Sequence, residues 1–468
     1  MSVVAPASIL SRWAALEELS TALARGSPCL EADGLWGSSR SLAVAALVKH
    51  TGRAALVMAP GTAERHRLAE DLRFFLGSLD AAGVAPVLEF PPAEPTSWRG
   101  RHKDHAAERA LACHHLASGC AVVVGTPSAL AAPLLTPAEF HARTFSLEVG
   151  ATMDRDTLLR RLDRAGYERV DTVVEVGQWS LRGGIVDVFS PMRERPVRAE
   201  FAGDEIESLR AFDPTSQRSV EPLKELSVLP LSAPPAESRV TLAAYLPGDA
   251  LVAIEDRALL DAPPDDAPSA EPLHVLLADF QRLEMPLLGA SSPSAGRIAM
   301  GTRSVGGFRG QFKALAGEIR GWREEGFTVR LVVDDERQAA RLRQMLSEHE
   351  LEAWPGVTLW SPEGLGVIVG ECGAGFLLPA LGLVVLSEQE IFGAQRRRLR
   401  TCRIDDRCSV FNFHNRPPPT VPTPQSVDAL VASHPQQPPG EWYRTVVALD
   451  GALQLEEDFA GGILCALP

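Results

Sequence analysis

The stretch DGLWGSSRS, residues 33–41, joins a short apolar run to the amphipathic LAVAALVKHTG. A loop at such a strand-to-helix junction cradles phosphates when it reads G-x-x-x-x-G-K-[ST]. Backbone N–H groups then point at the oxygens, and the glycines let the main chain come close. Here Gly34 opens the pattern, Gly37 lies within it and Ser41 closes it, but Ser39 stands at the second glycine position and Arg40 at the lysine position. Ser39 adds a Cβ at a crowded point, and the wide planar guanidinium of Arg40 does not replace a compact ammonium. A nucleotide hydrolase also needs a metal-holding acid at a strand end. Asp334 and Asp335 of LVVDDE would supply one, yet acids there cap the helix predicted for RQAARLRQML. The expectation is a degenerate nucleotide loop, no catalytic residue, no cofactor and no enzyme.

Other chemistry is thin. His102, His105, Cys113, His114 and His115 cluster in RHKDHAAERALACHH, but their spacing fits no zinc pattern and no second cluster completes it. Cys402 and Cys408 stand in a Pro-rich surrounding. No G-x-S-x-G elbow is present. The expectation is no metal site.

YERVDTVVEVGQWSLRGGIVDVFSP is more informative. Arg169 and Arg182 fall on predicted strands or their ends, with Trp179 beside Arg182 and a break at Gly183 and Gly184. Arginine next to an aromatic is characteristic of interface hot spots, and its fork suits carboxylates on a partner. An internal ion pair of Arg182 with Glu175 or Asp187 accounts for the same residues. Both readings stand on the residue types alone.

The elements that position these residues follow from apolar patterning. At 468 residues the chain is too long for one ordinary core. Up to about 151, buried-strand runs (RAALVMAP, APVLEFP, CAVVVGTP) alternate with helical stretches, including one with Leu68, Leu72, Phe75 and Leu76 on one side. Such alternation implies a parallel α/β sheet. Residues 152–231 open on a capped helix, TMDRDTLLRRLDRAGY, and continue as short strands punctuated by Gly203-Asp204 and Asp213-Pro214, a small β-rich insert. Residues 232–300 return to α/β pieces around an exposed loop, DAPPDDAPSAEP. Residues 301–400 form another α/β unit, and 401–468 a Pro-rich tail, read as disordered over 401–440.

Composition bounds the partners. The net charge of −14 opposes autonomous tight binding to nucleic acid, so DNA contact is expected to be weak or indirect. The basic run QRRRLR, 395–400, reads as a solvated face or linker. No apolar run approaches the roughly 20 residues that span a bilayer. The N-terminal stretch carries acids at helical spacing rather than a secretory signal, and seven scattered cysteines suit a reducing cytoplasm.

The stretch GYERVDTVVEVGQWSLRGGIVDVFSP, with VRAEFAGDEIESLRAFDPTSQRS after it, closely resembles the small UvrA-binding domain shared by the excision-repair protein UvrB and the transcription-repair coupling factor Mfd. LEFPPAEPTSW and ERALACHHLASGCAVVVGTPSAL resemble the rest of the UvrB-like module of the coupling factors, and GAGFLLPALGLVVLSEQEIFGAQRRR resembles the end of their third domain. The resemblance covers about residues 5–400. It implies a P-loop-type parallel sheet whose loop has lost ATP hydrolysis, a β-rich UvrA-binding insert, and a further α/β domain. By position it carries UvrA contacts onto Arg169, Arg182 and the apolar Phe189, with Trp179 beside them. Ser180 stands where UvrB has another contact arginine. The polymerase-binding and motor domains of a full coupling factor have no counterpart in the sequence. The expectation is therefore a non-catalytic nucleotide-excision-repair module that binds UvrA, alongside a separately encoded translocase or RNA polymerase assembly. A UvrB-like nucleotide-binding damage recogniser and an inactive truncated product are the alternatives.

Overall fold

The computed structural model describes residues 9–393, apart from 80–84, 94–101, 120, 235–237, 239, 256, 262–272 and 287–295. The basic run at 395–400, Cys402, Cys408, the tail at 401–468 and nearly all of the DAPPDDAPSAEP loop fall outside the described residues.

Helix α1 (Ala14–Ala24) leads into β1 (Cys29–Asp33), α2 (Ser39–Thr51), β2 (Ala55–Met58), α3 (Thr62–Leu79), β3 (Val87–Phe90), α4 (His102–Ala117) and β4 (Val122–Gly125). Every residue of β2 and β4 is buried, as parallel strands covered on both faces must be. Helix α2 stops where Gly52 takes a left-handed conformation. Helix α3 buries Leu68, Leu72, Phe75 and Leu76, the side that the apolar spacing predicts.

The chain then leaves this sheet. After β5 (Phe145–Glu148) comes helix α5 (Arg155–Arg164), started by Asp154, whose carboxylate accepts the Thr157 amide. Strands β6 (Glu168–Arg169), β7 (Gln178–Arg182), β8 (Ile185–Val188), β9 (Val197–Ala202), β10 (Glu205–Phe212) and β11 (Ser219–Leu223) form a sheet in the order β11-β10-β9-β8-β7-β6. All neighbours are antiparallel except β6 and β7. Strand β12 (Glu225–Val228) returns to pair antiparallel with β5. Phe145 and Leu147 join Leu158, Leu162, Trp179, Val186 and Leu226 in one core. The β-rich module thus reaches back to Phe145, ahead of the 152 read from the sequence. The pairing of 145–148 with 225–228 joins segments far apart in the chain, and a local pattern carries no trace of it.

Strands β13 (Leu251–Ile254), β14 (Gln281–Glu284) and β15 (Arg297–Ala299) rejoin the first sheet, whose order is β15-β1-β14-β13-β2-β4-β3 with every pairing parallel. A second α/β unit follows, with helix α6 (Phe312–Glu324), β16 (Thr328–Val333), α7 (Glu336–Glu348), β17 (Leu365–Val369), β18 (Phe376–Leu378) and β19 (Leu383–Leu386). Its sheet runs β17-β16-β19-β18, with β18 antiparallel. The fold is α/β: a large parallel sheet, a β-rich insert and a second, smaller sheet.

The second unit packs on the first. Phe376, Trp360 and Leu383 share a core with Phe75 and Leu79 of α3, and the Trp360 indole N–H donates to the Ser78 carbonyl at 2.9 Å. No helix among the described residues is long and apolar enough to cross a membrane.

Candidate functional site

Two regions are candidates: the loop between β1 and α2, and the outer face of the β-rich module. At the loop, Asp33 accepts the Gly34 amide at 2.8 Å, and Gly34 and Gly37 both take left-handed backbone conformations, φ 73° and 55°. Ser39 Oγ donates to the Trp36 carbonyl at 2.6 Å. The Thr302 hydroxyl, just past β15, donates to the Gly34 carbonyl at 2.7 Å and accepts the Trp36 amide at 2.8 Å. The side chains of Ser39 and Thr302 therefore consume polar groups that a ligand would otherwise meet.

What lies against the loop is protein. Residues 370–375 connect β17 to β18, and the Ser38 amide donates to the Ala374 carbonyl at 3.0 Å while the Ala374 amide donates to Ser38 Oγ at 3.0 Å. The Gly373 amide donates to the Asp71 carboxylate of α3 at 2.6 Å. Where a working loop gives its amides to phosphate oxygens, this one gives the Ser38 amide to a peptide carbonyl. The approach is close enough that a Cβ on Gly37 would overlap the Gly375 carbonyl oxygen and sit 3.0 Å from that of Ala374. Gly373 and Gly375 are the matching allowance on the other side. A Cβ on either would run into Arg67 or into Val385 and Glu390.

A cavity of about 50 Å³ remains, lined by Gly37, Ser38, Arg40, Arg67, Asp71 and Glu255 among others. It has room for a few waters but not for a nucleotide. Arg40, at the lysine position, is buried with its Nη1 3.7 Å from a Glu255 carboxylate oxygen, and its Nε has no partner. Burial lowers the Arg40 pKa and raises that of Glu255, and their long-range attraction offsets only part of this. Asp71, fully buried, is pushed up to about 6 by loss of solvation, against the pull of its bonds from Ser38 and Gly373. Ser41, the last position of the pattern, is buried with an unpartnered hydroxyl.

The other acids and histidines have structural surroundings. Asp335 caps α7 by accepting the Gln338 amide at 2.7 Å. His114 and His115 lie half-buried on α4 with pKa values lowered by burial. Among the described residues, no group of three His, Cys, Asp or Glu side chains is placed to hold a metal ion.

The β-rich module presents the opposite arrangement. Arg169 on β6 is exposed, its guanidinium 5.4 Å from the Trp179 ring centre. Arg182, at the end of β7, is also exposed. Its Nη2 donates to the Asp171 carbonyl and, at 3.0 Å, to the Thr172 hydroxyl. Neither arginine forms an ion pair among the described residues. The alternative pairing of Arg182 with Asp187 does not occur, because Asp187 is held by Arg198 in a two-pronged bond at 2.8 and 2.9 Å.

The two expected aromatic contacts lie elsewhere. Trp179 is 2% exposed and Phe189 6% exposed. Trp179 belongs to the core between sheet and α5, so it acts as a platform beneath Arg169 rather than as a contact surface. Ser180 is also buried, opposite Asp187 in the strand pairing. Alternation along β7 turns successive side chains to opposite faces. Both faces are covered here, one by the α5 core and one by the segment containing the buried Val173, and this hides positions 179 and 180 alike.

Sequence reasoning missed two features of these sites. One is the 370–375 connection that fills the loop; the glycines of GECGAG were the available signal. The other is the segment 171–176, pinned over the insert by side chains from three places, which no short motif announces.

Comparison with known proteins agrees with the division into module and framework. Residues 145–233 match the UvrB interaction domain. The transcription-repair-coupling factor of Myxococcus xanthus is 40% identical over 201 residues, 42% of this chain and 17% of that protein. That of Bacillus subtilis is 24% identical over 452 residues, covering 77% of this chain and 38% of the relative. That of Escherichia coli is 41% identical over 90 residues, 19% of this chain and 8% of the relative. The chain spans less than two fifths of the length of these relatives. It carries a UvrB interaction domain within a framework similar to transcription-repair-coupling factors.

Proposed function

We propose that this chain is a non-catalytic nucleotide-excision-repair module that works in the cytoplasm by binding UvrA through its β-rich domain. The observation that carries the reading is the pair Arg169 and Arg182. Both are exposed, free of ion pairs among the described residues, and set on the neighbouring strands β6 and β7 of the domain that matches the UvrB interaction domain. An arginine fork in that state has donors to offer a partner's carboxylates. Arg169 is steadied by its place over the Trp179 ring, so little freedom is lost when it binds.

The filled loop supports the non-catalytic part. A nucleotide would have to displace a peptide segment held by three hydrogen bonds. It would also face Arg40 in place of a lysine. DNA contact is weak or indirect in this reading, given the net charge of −14. A translocase or RNA polymerase assembly is the proposed wider setting.

The test is titration of UvrA with the purified chain, followed by challenge with UvrB. Saturable binding that UvrB displaces is the expected result. No binding at micromolar concentrations, or a complex that holds UvrB and this chain together on one UvrA site, overturns the reading.

A further inference from the structure

The segment 171–176 precedes β7 and is pinned from several directions. Gln178 Oε1 accepts the amides of Val174 and Glu175, both at 2.9 Å. Gln217, in the β10–β11 turn with φ 58°, donates to the Val173 carbonyl at 3.2 Å. Arg182 holds the Asp171 carbonyl and the Thr172 hydroxyl. Val173 and Val176 are buried, 0% and 2% exposed, whereas Val174 between them is 47% exposed. Two side chains of the strand that follows and one from the distant β10–β11 turn thus fix a short irregular segment so that one apolar side chain stands in solvent. Its neighbour through the shared segment is Arg182, one of the two exposed arginines.

A scattered exposed valine needs no explanation. This one differs because the backbone that carries it is immobilised at considerable cost in polar groups. Preorganising a contact in this way reduces the ordering entropy paid on binding. Gln217 adopts a left-handed backbone conformation that residues other than glycine seldom take.

We infer that Val174 is an apolar anchor of the UvrA interface, inserted into an apolar socket whose rim carries a carboxylate that meets Arg182. Gln178 is the positioning residue that sets its height. The inference rests on the proposed UvrA binding and adds to it a segment that is not among the arginine contacts. The occupant is UvrA rather than a second copy of this chain, because the segment belongs to the domain that matches the UvrB interaction domain and Arg182, which holds its backbone, seeks an acidic group.

The experiment measures UvrA affinity and thermal unfolding of the whole chain and five variants. Val174→Asp places a charge in the socket and is expected to weaken binding at least ~20-fold, with Val174→Ala nearer ~5-fold. Because Val174 is exposed, neither change should lower the melting temperature appreciably. Gln178→Ala should weaken binding by about tenfold. Gln178→Glu keeps an oxygen to accept the two amides and should restore most of it. A purely structural role for Gln178 predicts instead a lowered melting temperature with unchanged affinity. Val149→Asp, at a position 46% exposed in the same domain, is the control and should bind as wild type. If wild type binds and Val174→Asp binds equally well, the inference fails and the UvrA reading stands. If wild type itself does not bind, the UvrA reading has failed first.

Discussion

The loop at 34–41 and the segment at 171–176 are both irregular stretches fixed by side chains, and they end in opposite states. The loop is satisfied from within. Its serines, Thr302 and the peptide groups of 373–374 exchange hydrogen bonds, and Arg40 is turned toward Glu255 in a small cavity. The segment at 171–176 is satisfied along its backbone yet leaves Val174 and the neighbouring arginines in solvent. On the proposed reading, loss of a ligand and gain of a partner leave different physical marks. A retired site is filled, because unpaired amides beside a void are costly. A working interface keeps its donors exposed and limits their motion.

That contrast can be broken at the seal. Gly37→Ala is expected to destabilise the protein most, by roughly 2–4 kcal/mol. The new methyl overlaps the Gly375 carbonyl, and φ 55° disfavours any side chain. Thermal or urea unfolding reads this, and a loss below about 1 kcal/mol means that the 370–375 segment can retreat easily. UvrA affinity at low temperature should not change.

Asp71 gives a smaller effect with a sign. Its folded pKa, about 6, lies above the ordinary 3.8, so the native state holds the proton more tightly than the unfolded chain. The contribution favours folding below pH 3.8 and is lost as pH rises through 6. Asp71→Asn removes the titrating group while keeping an oxygen for the Gly373 amide. The variant should gain on wild type by on the order of 2–3 kcal/mol as pH goes from about 4 to 7. Parallel stability profiles for the two proteins across that range would contradict this.

The smallest expected effect is none. Restoring the loop pattern with Ser39→Gly and Arg40→Lys should not create nucleotide binding, because the Ala374 carbonyl and Gly375 still occupy the phosphate position. Equilibrium binding of a fluorescent ATP analogue reads this. Micromolar affinity in the repaired variant would mean that sequence change alone, without the plug, explains the silent site.

Much of the framework was legible in the sequence. The strands at 55–58, 87–90 and 122–125 stand inside apolar runs bounded by turn residues, and α3 shows the spacing of a one-sided helix. Asp335 and Asp154 stand where caps are expected. The state of the loop was half legible: Ser39 and Arg40 signal a fault in the pattern, but not that residues more than 330 positions later fill it. Trp179 was misplaced because β7 is covered on both faces, so alternation along the strand does not expose every second residue; Phe189, just past β8, is buried as well. The residue types leave Arg182 between a partner and an internal ion pair with Glu175 or Asp187. The structure gives Asp187 to Arg198, two strands away from Arg182, a pairing set by the register of β8 and β9.

The most direct measurement is UvrA affinity compared for two variants in one titration series. Arg169→Ala/Arg182→Ala removes both exposed forks, and Gly37→Ala, kept below its melting temperature, disturbs only the seal. A hydrogen-bonded interface charge is worth roughly 2–5 kcal/mol when truncated. The arginine variant should therefore bind UvrA at least ~30-fold more weakly, at about tenfold per 1.4 kcal/mol, while the Gly37 variant binds as wild type does. Equal affinity of the arginine variant and wild type, or a loss confined to the Gly37 variant, would contradict the assignment of function to the insert.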